Sequence, residues 1–261
     1  MRSDNLRGAI GIIARMGSQR LPNKHLIQID EKPIISYLIK RLYNEFKSEI
    51  KNNDLKLFIL TGSEELNYSL SLLTEQIGVD IFFGHNNNIP KRMLEFLESK
   101  DQDFIISIDG DDILCAPEGV RSIYKSLLES SQYCKTINYP FGMNSTGYSK
   151  SFLHKSLKKI DSIKNLETGW GWIFDEKKCD IVDSKMKEHK DLRFTLDYVE
   201  DLSFFKKIIT SSLNIYKSST NEIIEFVLEQ KLFLENKNRN EEYWNNFNHE
   251  QNLEIKGVKN G

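Results

Sequence analysis

Short apolar runs that alternate with helical patterns dominate the first half of the chain. Four runs of strand length, nearly all apolar, cover residues 9–14, 55–61, 79–83 and 104–108. Continuous apolar runs of this length are typical of strands that are covered on both faces. The stretches between them repeat apolar residues at helical spacing, as Ile34, Leu38 and Leu42 do. Strands that alternate with helices predict βαβ units and a parallel sheet.

The second half of the chain is less regular. Residues 136–190 contain several glycines and little periodicity, which indicates an inserted lobe or a set of long functional loops. Regular patterns return at residues 192–196 and continue as helices near 200–210 and 221–235. Residues 236–261 are polar and hold eight asparagines. We therefore expect one domain over residues 1–235, with a lobe at about 136–190 for acceptor binding or dimer contact, and a loosely docked or mobile tail.

Charge and cysteine usage exclude several classes of protein. The 36 basic and 38 acidic residues give a net charge of −2, whereas nucleic-acid and membrane-surface binders carry a large basic excess. The three cysteines, Cys115, Cys134 and Cys179, lack metal-ligand spacing and are typical of reduced thiols. No apolar stretch approaches 18 residues. We expect a cytoplasmic protein with no nucleic-acid or membrane partner.

A cationic loop follows the first predicted strand. Residues 12–24 read IIARMGSQRLPNK and contain Arg15, Arg20 and Lys24 but no acid. Ligands bind beyond the carboxyl ends of parallel strands, so this loop is well placed to meet one. The amides near Gly17 and the hydroxyl of Ser18 can donate to phosphate oxygens. The loop predicts a site for a triphosphate, although a solvated surface loop has the same composition. The spacing fits neither a dinucleotide fingerprint nor a Walker-type loop.

Three aspartates follow the fourth predicted strand. Asp109, Asp111 and Asp112 are crowded around one glycine, and such carboxylates repel one another unless they are protonated or bind a metal. Mg²⁺ commonly takes one or two carboxylates together with substrate phosphates. The alternative is a polar turn that ends the strand, since Asp-Gly is a frequent turn pair.

Several motifs together point to one family. Residues 14–24, with Ile29 and residues 32–35 after them, resemble the A-R-x-x-S-x-R-L-P-x-K signature of the cytidylyltransferases that make CMP-activated sugar acids. The resemblance is greatest to the 3-deoxy-manno-octulosonate (KDO) cytidylyltransferases and the SpsF-like spore-coat-polysaccharide group. It implies a three-layer α/β/α sandwich with a mostly parallel sheet, as in nucleotide-diphospho-sugar transferases. It also implies that the loop wraps the phosphates of CTP. The nucleotide-binding residues would then include Ala14, Arg15, Met16, Gly17, Ser18, Arg20 and Lys24.

Further motifs extend the resemblance. Gly110-Asp111 matches the family's G-D pair, and residues 192–202 resemble R-L-T-V-D-x-P-E-D-L. These matches imply Mg²⁺ as cofactor, with Asp111 and Asp197 as its ligands. Asp109 would assist at the nucleotide, and Arg92 matches the last arginine of a third family motif. Asp112-Ile113 and Asn86–Asn88 depart from the family pattern.

The predicted reaction is transfer of CMP from CTP to a small acceptor, with Arg15, Lys24 and Asp111 as catalytic residues and pyrophosphate as leaving group. We expect the acceptor to be an acidic sugar in surface polysaccharide precursor synthesis, bound by Trp170, Trp172 and Arg193. A phosphate- or phosphonate-bearing acceptor is the alternative. We also expect a homodimer. A glycosyltransferase that uses Asp109-x-Asp111 and a non-catalytic nucleotide-binding relative are the rival interpretations.

Overall fold

The computed structural model describes residues 6–158, 165–187 and 189–259. Its strands are β1 (Gly8–Ile13), β2 (Gln28–Ile29), β3 (Lys32–Pro33), β4 (Leu55–Thr61), β5 (Asp80–Phe83), β6 (Phe104–Asp109), β7 (Tyr133–Ile137), β8 (Thr146–Ser149) and β9 (Asp180–Asp183). Its helices are α1 (Ile35–Glu45), α2 (Lys47–Lys51), α3 (Glu64–Ile77), α4 (Ile89–Ser99), α5 (Pro117–Glu129), α6 (Lys150–Leu157), α7 (Val199–Ile209), α8 (Thr220–Glu229) and α9 (Arg239–Lys259). Short 3-10 helices cover Lys24–Leu26, Trp170–Ile173, Glu176–Lys178 and Leu232–Glu235.

A seven-stranded sheet organises the chain, with strand order β5-β4-β1-β6-β8-β7-β9. Strand β1 lies in parallel between β4 and β6, and β5 continues the parallel set. Strand β8 is antiparallel to both of its neighbours. The register places Ile13 opposite both Leu60 and Asp109, so three strands reach their carboxyl ends at one level. The four strands predicted from the first half of the sequence are all present, and the predicted fold class is confirmed.

The apolar core occupies both faces of the sheet because successive residues of a strand point to opposite sides. In β1, Ile10 and Ile12 pack with α1 and α5 residues such as Leu38 and Val120. Ala9 and Ile13 belong to a second cluster on the other face, with α4 residues such as Phe96. A third cluster joins residues 192–196 to α7 and α8. Burial on both faces explains why the strand sequences are continuously apolar.

The structure differs from the sequence-based expectation at the end of the chain. Residues 239–259 form a helix instead of a loosely docked tail, and Asn236 before it is only 1 % exposed. Tyr243 and Trp244 each lie 5.0 Å from the ring of Phe141. Asparagine lowers helix propensity only weakly, and tertiary packing of one face readily compensates for it.

Residues 136–190 contribute to the main sheet. They supply β8, which lies between β6 and β7, and the edge strand β9. The predicted role of this span in acceptor binding or dimer contact stays a prediction. Among the described residues, no helix combines the length and apolar character that crossing a bilayer requires.

Candidate active site

A cavity of about 1680 Å³ opens at the carboxyl ends of the central strands. The loop after β1, the end of β6, residues 165–171 and one face of α9 line it. Pockets for one small molecule usually measure roughly 300–1000 Å³, so this cavity has room for a nucleotide and a second ligand. Backbone bonds fix its floor: the amide of Gly110 donates to Ile13 O at 2.7 Å, and that of Ala14 donates to Leu60 O at 3.2 Å.

The cationic loop places most of its predicted residues on the cavity wall. Ala14, Arg15, Gly17 and Ser18 line the cavity with Arg20 and Lys24. Met16 does not: its side chain packs against the core, and its amide donates to Asn67 Oδ1 at 3.0 Å. A nucleotide contact from the Met16 side chain is therefore not supported. A methyl group added at Gly17 would touch nothing within 4 Å, so this position leaves open space beside the loop.

Lys24 is the centre of the site. Its Nζ lies 2.5 Å from Asp111 Oδ2 and 3.1 Å from Asp197 Oδ1, so carboxylates from two distant parts of the chain converge on one ammonium. Burial alone would lower the pKa of Lys24, but the two negative charges outweigh burial and raise the pKa above its usual value. Lys24 is therefore a permanently charged group at the strand ends.

Asp197 is almost fully buried and is held by three cations. Arg20 Nη2 lies 2.9 Å from its Oδ1, which also accepts from Lys24, and Arg193 Nη2 lies 2.8 Å from its Oδ2. Burial alone would raise the pKa of Asp197, but the surrounding cations lower it below the usual range. The carboxylate is therefore ionised and fixed in direction.

The other acids of the β6 end behave differently. Asp109 faces the cavity, but the surrounding walls and the charge of Asp111 raise its pKa to about 7. Burial, together with the charges of Asp111 and Asp109, raises the pKa of Asp112 well above its usual value. A divalent cation would relieve this repulsion. Asp111 and Asp197 already converge on one positive charge, a donor set that fits Mg²⁺ when phosphate oxygens complete the shell. Within the described residues, no group of three or more acidic, histidine or cysteine side chains forms a ready-made metal site.

Arg193 does not reach the cavity, contrary to the expectation that it pairs with an acceptor carboxylate. Its side chain is fully buried, and Nε lies 2.9 Å from Asp201 Oδ1. Asp201 in turn accepts from the amides of Asp197 and Tyr198, both at 2.9 Å. A buried guanidinium needs carboxylate partners, and Arg193 finds them in its own segment. Arg193 thus holds the Asp197 carboxylate through a buried hydrogen bond instead of facing the cavity.

Arg92 and the two predicted tryptophans also take distinct positions. Arg92 lines the cavity but is buried, and it donates to the carbonyls of His85 and Asn86 at 2.9 and 2.7 Å. Burial lowers its pKa to about 10. Trp170 lines the cavity, 5.8 Å from the ring of Tyr148, whereas Trp172 does not line it. A contact from the predicted pair therefore rests on Trp170.

Two cavity-lining groups escaped sequence reasoning. Glu167 forms an ion pair with Arg15, and Leu166 beside it exchanges backbone hydrogen bonds with Asn87 and Ile89. The second group is a face of α9. Its members recur at helical spacing: Tyr243, Asn246, Phe247, Glu250, Leu253, Glu254 and Gly257. That spacing was visible in the sequence, but the polar residues between hid it.

A sequence profile of the Cytidylyltransferase family matches residues 9–243. The chain belongs to this family. The family assignment confirms the predicted nucleotidyltransferase and sets aside the glycosyltransferase and non-catalytic interpretations. This cytidylyltransferase is 24 % identical to the uncharacterized protein MJ1063 of Methanocaldococcus jannaschii, over 84 % of this chain and 89 % of that protein.

Other relatives carry functional names. The chain is 27 % identical to the spore coat polysaccharide biosynthesis protein SpsF of Bacillus subtilis, over 51 % of this chain and 55 % of that protein. It is also 27 % identical to the 3-deoxy-manno-octulosonate cytidylyltransferase of Chlorobium limicola, over 52 % of each. The chain thus spans about half the length of these two relatives.

Solved structures support the fold. A cytidylyltransferase from Leptospira borgpetersenii superposes with a TM-score of 0.75 at 23 % identity, covering 88 % of this chain and 98 % of that one. A CMP-2-keto-3-deoxy-manno-octonic acid synthetase in complex with CTP gives a TM-score of 0.58 at 14 % identity, covering 79 % of this chain and all of the other. The predicted homodimer and cytoplasmic location stay predictions.

Proposed function

We propose that this cytidylyltransferase transfers CMP from CTP to a small acceptor and releases pyrophosphate. The convergence of Asp111 and Asp197 on Lys24, at the wall of a cavity large enough for two ligands, carries the proposal. Family membership and the likeness to a synthetase in complex with CTP support the choice of nucleotide.

The proposed reaction is an in-line displacement at the α-phosphorus of CTP. The acceptor oxygen bonds to the α-phosphorus, the bond from the α-phosphorus to the bridging oxygen breaks, and pyrophosphate leaves. The proton of the acceptor hydroxyl passes to solvent. The protein's task is then to position both reactants and to neutralise charge. Lys24, Arg20 and Arg15 line the cavity and can neutralise this charge.

Mg²⁺ is part of this proposal, with Asp111 and Asp197 as the residues that would hold it. When bound, the ion would shield phosphate charge and lower the pKa of the acceptor hydroxyl. Lys24 would donate to phosphate oxygens from the same corner of the cavity. Arg20 and Arg193 would keep the Asp197 carboxylate in place, since each bonds a different oxygen of it.

We propose an acidic sugar as acceptor, and a phosphate- or phosphonate-bearing compound as the second choice. Because Arg193 is buried, another cation must meet the acid. Lys135 on β7 lines the cavity and forms an ion pair with Glu176, which an acceptor carboxylate could replace. Trp170, which also lines the cavity and packs on the buried ring of Tyr148, offers an aromatic face for a sugar ring. Relatives named KDO cytidylyltransferase support this class of acceptor.

The test is a pyrophosphate-release assay that crosses the four ribonucleoside triphosphates with sugar acids, matched neutral sugars and small phosphonates. We expect release with CTP, dependence on Mg²⁺ and a preference for acids over the neutral sugars. Lys135→Met should raise the Michaelis constant for the acceptor about tenfold while leaving that for CTP unchanged, since a charge-assisted bond contributes roughly 1.5–3 kcal/mol. Lys40→Met, an exposed lysine on α1, is the control. Release from a neutral sugar at equal rate would refute the acidic acceptor.

A further inference from the structure

We propose that residues Asn236, Arg239 and Tyr243, which we call the C-terminal clamp, position Asp197 for catalysis. The inference rests on the proposed function, in which Asp197 holds Mg²⁺ beside CTP. Asn236 precedes α9, Arg239 and Tyr243 lie in its first turns, and Tyr243 lines the cavity.

The ring of Tyr243 contacts both arginines that hold Asp197. The centroid of the Tyr243 ring lies 4.6 Å from Arg193 Cζ and 5.4 Å from Arg20 Cζ. These two guanidiniums bond opposite oxygens of the Asp197 carboxylate. The ring therefore restrains the two groups that set the direction of that carboxylate.

The remaining rings around these arginines come from other segments. Tyr198 lies 5.5 Å from each guanidinium carbon, and Phe141 lies 5.3 Å from that of Arg193. Among the described residues, Nη1 of Arg193 is buried without a hydrogen-bond partner, and three aromatic rings lie over the guanidinium. A cation–π contact strengthens when the cation is removed from water, as Arg193 is.

Asn236 is hydrogen-bonded to the segment that contains Arg193 and Asp201. Its Nδ2 donates to Arg193 O at 3.1 Å and to Asp201 Oδ1 at 2.9 Å. Arg239 extends these contacts: it pairs with Glu200 at 2.6 Å and lies 5.1 Å from the ring of Tyr198. All three clamp residues thus act on the segment that carries Asp197.

The segment that carries Asp197 is anchored in the core by residues outside the clamp. Phe194 and Leu196, which flank Thr195 before Asp197, are fully buried among α7 and α8 residues, and they anchor the segment in the core. What the core cannot fix is the direction of the Asp197 side chain. Loss of the Tyr243 ring should therefore alter catalysis more than it alters folding.

The experiment compares Tyr243→Leu, Tyr243→Phe and Trp244→Leu. Trp244 is the matched control because it packs on Phe141 from the same helix turn but lies over neither guanidinium. Each protein is assayed for turnover number and Michaelis constants. Calorimetry gives its affinity for CTP across a Mg²⁺ titration without acceptor, and thermal unfolding gives its stability.

We expect Tyr243→Leu to lower the turnover number about tenfold and to raise the Mg²⁺ concentration needed for CTP binding, because a desolvated cation–π contact corresponds to about one order of magnitude. Tyr243→Phe, which keeps the ring, should stay within about twofold of wild type. The unfolding temperature of Tyr243→Leu should match that of Trp244→Leu.

Three results would overturn the clamp. The first is a Tyr243→Leu protein with the turnover and Mg²⁺ dependence of Trp244→Leu. The second is a Tyr243→Phe protein as impaired as Tyr243→Leu, since the hydroxyl would then be the active part. The third is a wild-type protein that binds no CTP at any Mg²⁺ concentration, which refutes the proposed function as well. The first two leave the proposed function intact.

Discussion

The cavity has two walls that are built in different ways. The motif wall comprises residues 14–24, residues 109–112 and Asp197. The C-terminal wall comprises residues 165–171 and α9. Strand register fixes the motif wall, because Ile13, Leu60 and Asp109 end at one level of a hydrogen-bonded sheet. A site built on strand ends inherits the rigidity of the core.

The C-terminal wall is held by polar contacts between segments more than 80 residues apart. Glu254 Oε1 accepts from Asn165 Nδ2 at 3.0 Å and from the amides of Glu167 and Thr168 at 3.1 Å. Gln251 Nε2 donates to Gly169 O at 2.9 Å. Such contacts, which are exposed or only partly buried, break at lower free energy than the core does. Most of α9 also lies beyond residue 243, where the family match ends. The contrast suggests that the motif wall performs the chemistry and that the C-terminal wall admits the ligands.

The largest effect is expected in the motif wall. Lys24→Met should lower the turnover number by roughly a hundredfold or more. The substitution removes a fixed positive charge that would stabilise the negative charge developing on the phosphate oxygens. Steady-state kinetics at saturating CTP measures it, with Lys40→Met as control. Thermal unfolding must show a folded protein. Turnover within threefold of wild type would mean that this wall does not carry the chemistry.

A change in the C-terminal wall should affect ligand entry instead. Gly169 has φ +57°, and an added Cβ would lie 2.5 Å from Phe247 and 2.4 Å from Gln251. Gly169→Ala should therefore push α9 away and raise the acceptor Michaelis constant about tenfold, with the turnover number within about threefold. Gly171→Ala, where a Cβ meets nothing within 4 Å, is the control. A loss confined to the turnover number would remove the distinction between the walls.

The pH dependence of stability should originate in the motif wall. The pKa of Asp109 is about 7 in the folded protein, against roughly 3.9 in an unfolded chain. Between these values the folded form holds a proton that the unfolded form has lost, so stability falls as pH rises from about 4 to 7. Asp109→Asn should remove part of this decline. We expect the part removed to be about 1 kcal/mol in the free energy of unfolding, because solvent at the open cavity screens the charges.

Urea unfolding at pH 5 and pH 8 without divalent ions would measure this difference. Asp112 contributes in the same direction, so some decline should remain in the variant. An unchanged decline in Asp109→Asn would show that Asp109 does not carry the raised pKa.

The smallest effect is expected where the two walls touch. Glu167 pairs with Arg15, a residue of the cationic loop whose side chain is 53 % exposed. A CTP phosphate and Glu167 would compete for this guanidinium. Glu167→Gln should therefore lower the Michaelis constant for CTP about threefold, since exposed ion pairs contribute at most about 1 kcal/mol. Glu176→Gln, which affects Lys135 instead, should leave that constant unchanged. A raised Michaelis constant for CTP in Glu167→Gln would make Glu167 a ligand contact and not a competitor.

Most of the motif wall was accessible to sequence reasoning because residues 14–24 and 109–112 lie at strand ends. Asp197, which follows no strand, was predicted from the family motif alone. The apolar runs predicted β1 and β6, and the residues after each run had to meet at one edge of the sheet. Lys24, Asp111 and Asp197 do meet there. Their roles in CTP and Mg²⁺ binding stay predictions.

The C-terminal wall was not accessible because long-range contacts decide it. The sequence around Arg193 was compatible with an unpaired cation that binds the acceptor. Only the structure shows that Arg193 is buried and already paired with Asp201. Trp172 repeats the flanking glycine of Trp170, yet only Trp170 turns toward the cavity. The asparagines of residues 236–261 suggested a loose tail, while the spacing from Tyr243 to Gly257 builds about 21 Å of helical wall.

The three tryptophans of the chain, Trp170, Trp172 and Trp244, all lie in or beside the C-terminal wall. The motif wall and the sheet contain none. Intrinsic tryptophan fluorescence of this protein therefore reports on a single wall of the cavity. An emission change on adding CTP would record movement of residues 165–171 or α9. It would do so even if every contact to the nucleotide came from the motif wall, which has no tryptophan. The natural chain thus carries its own optical probe for the C-terminal wall, without any label.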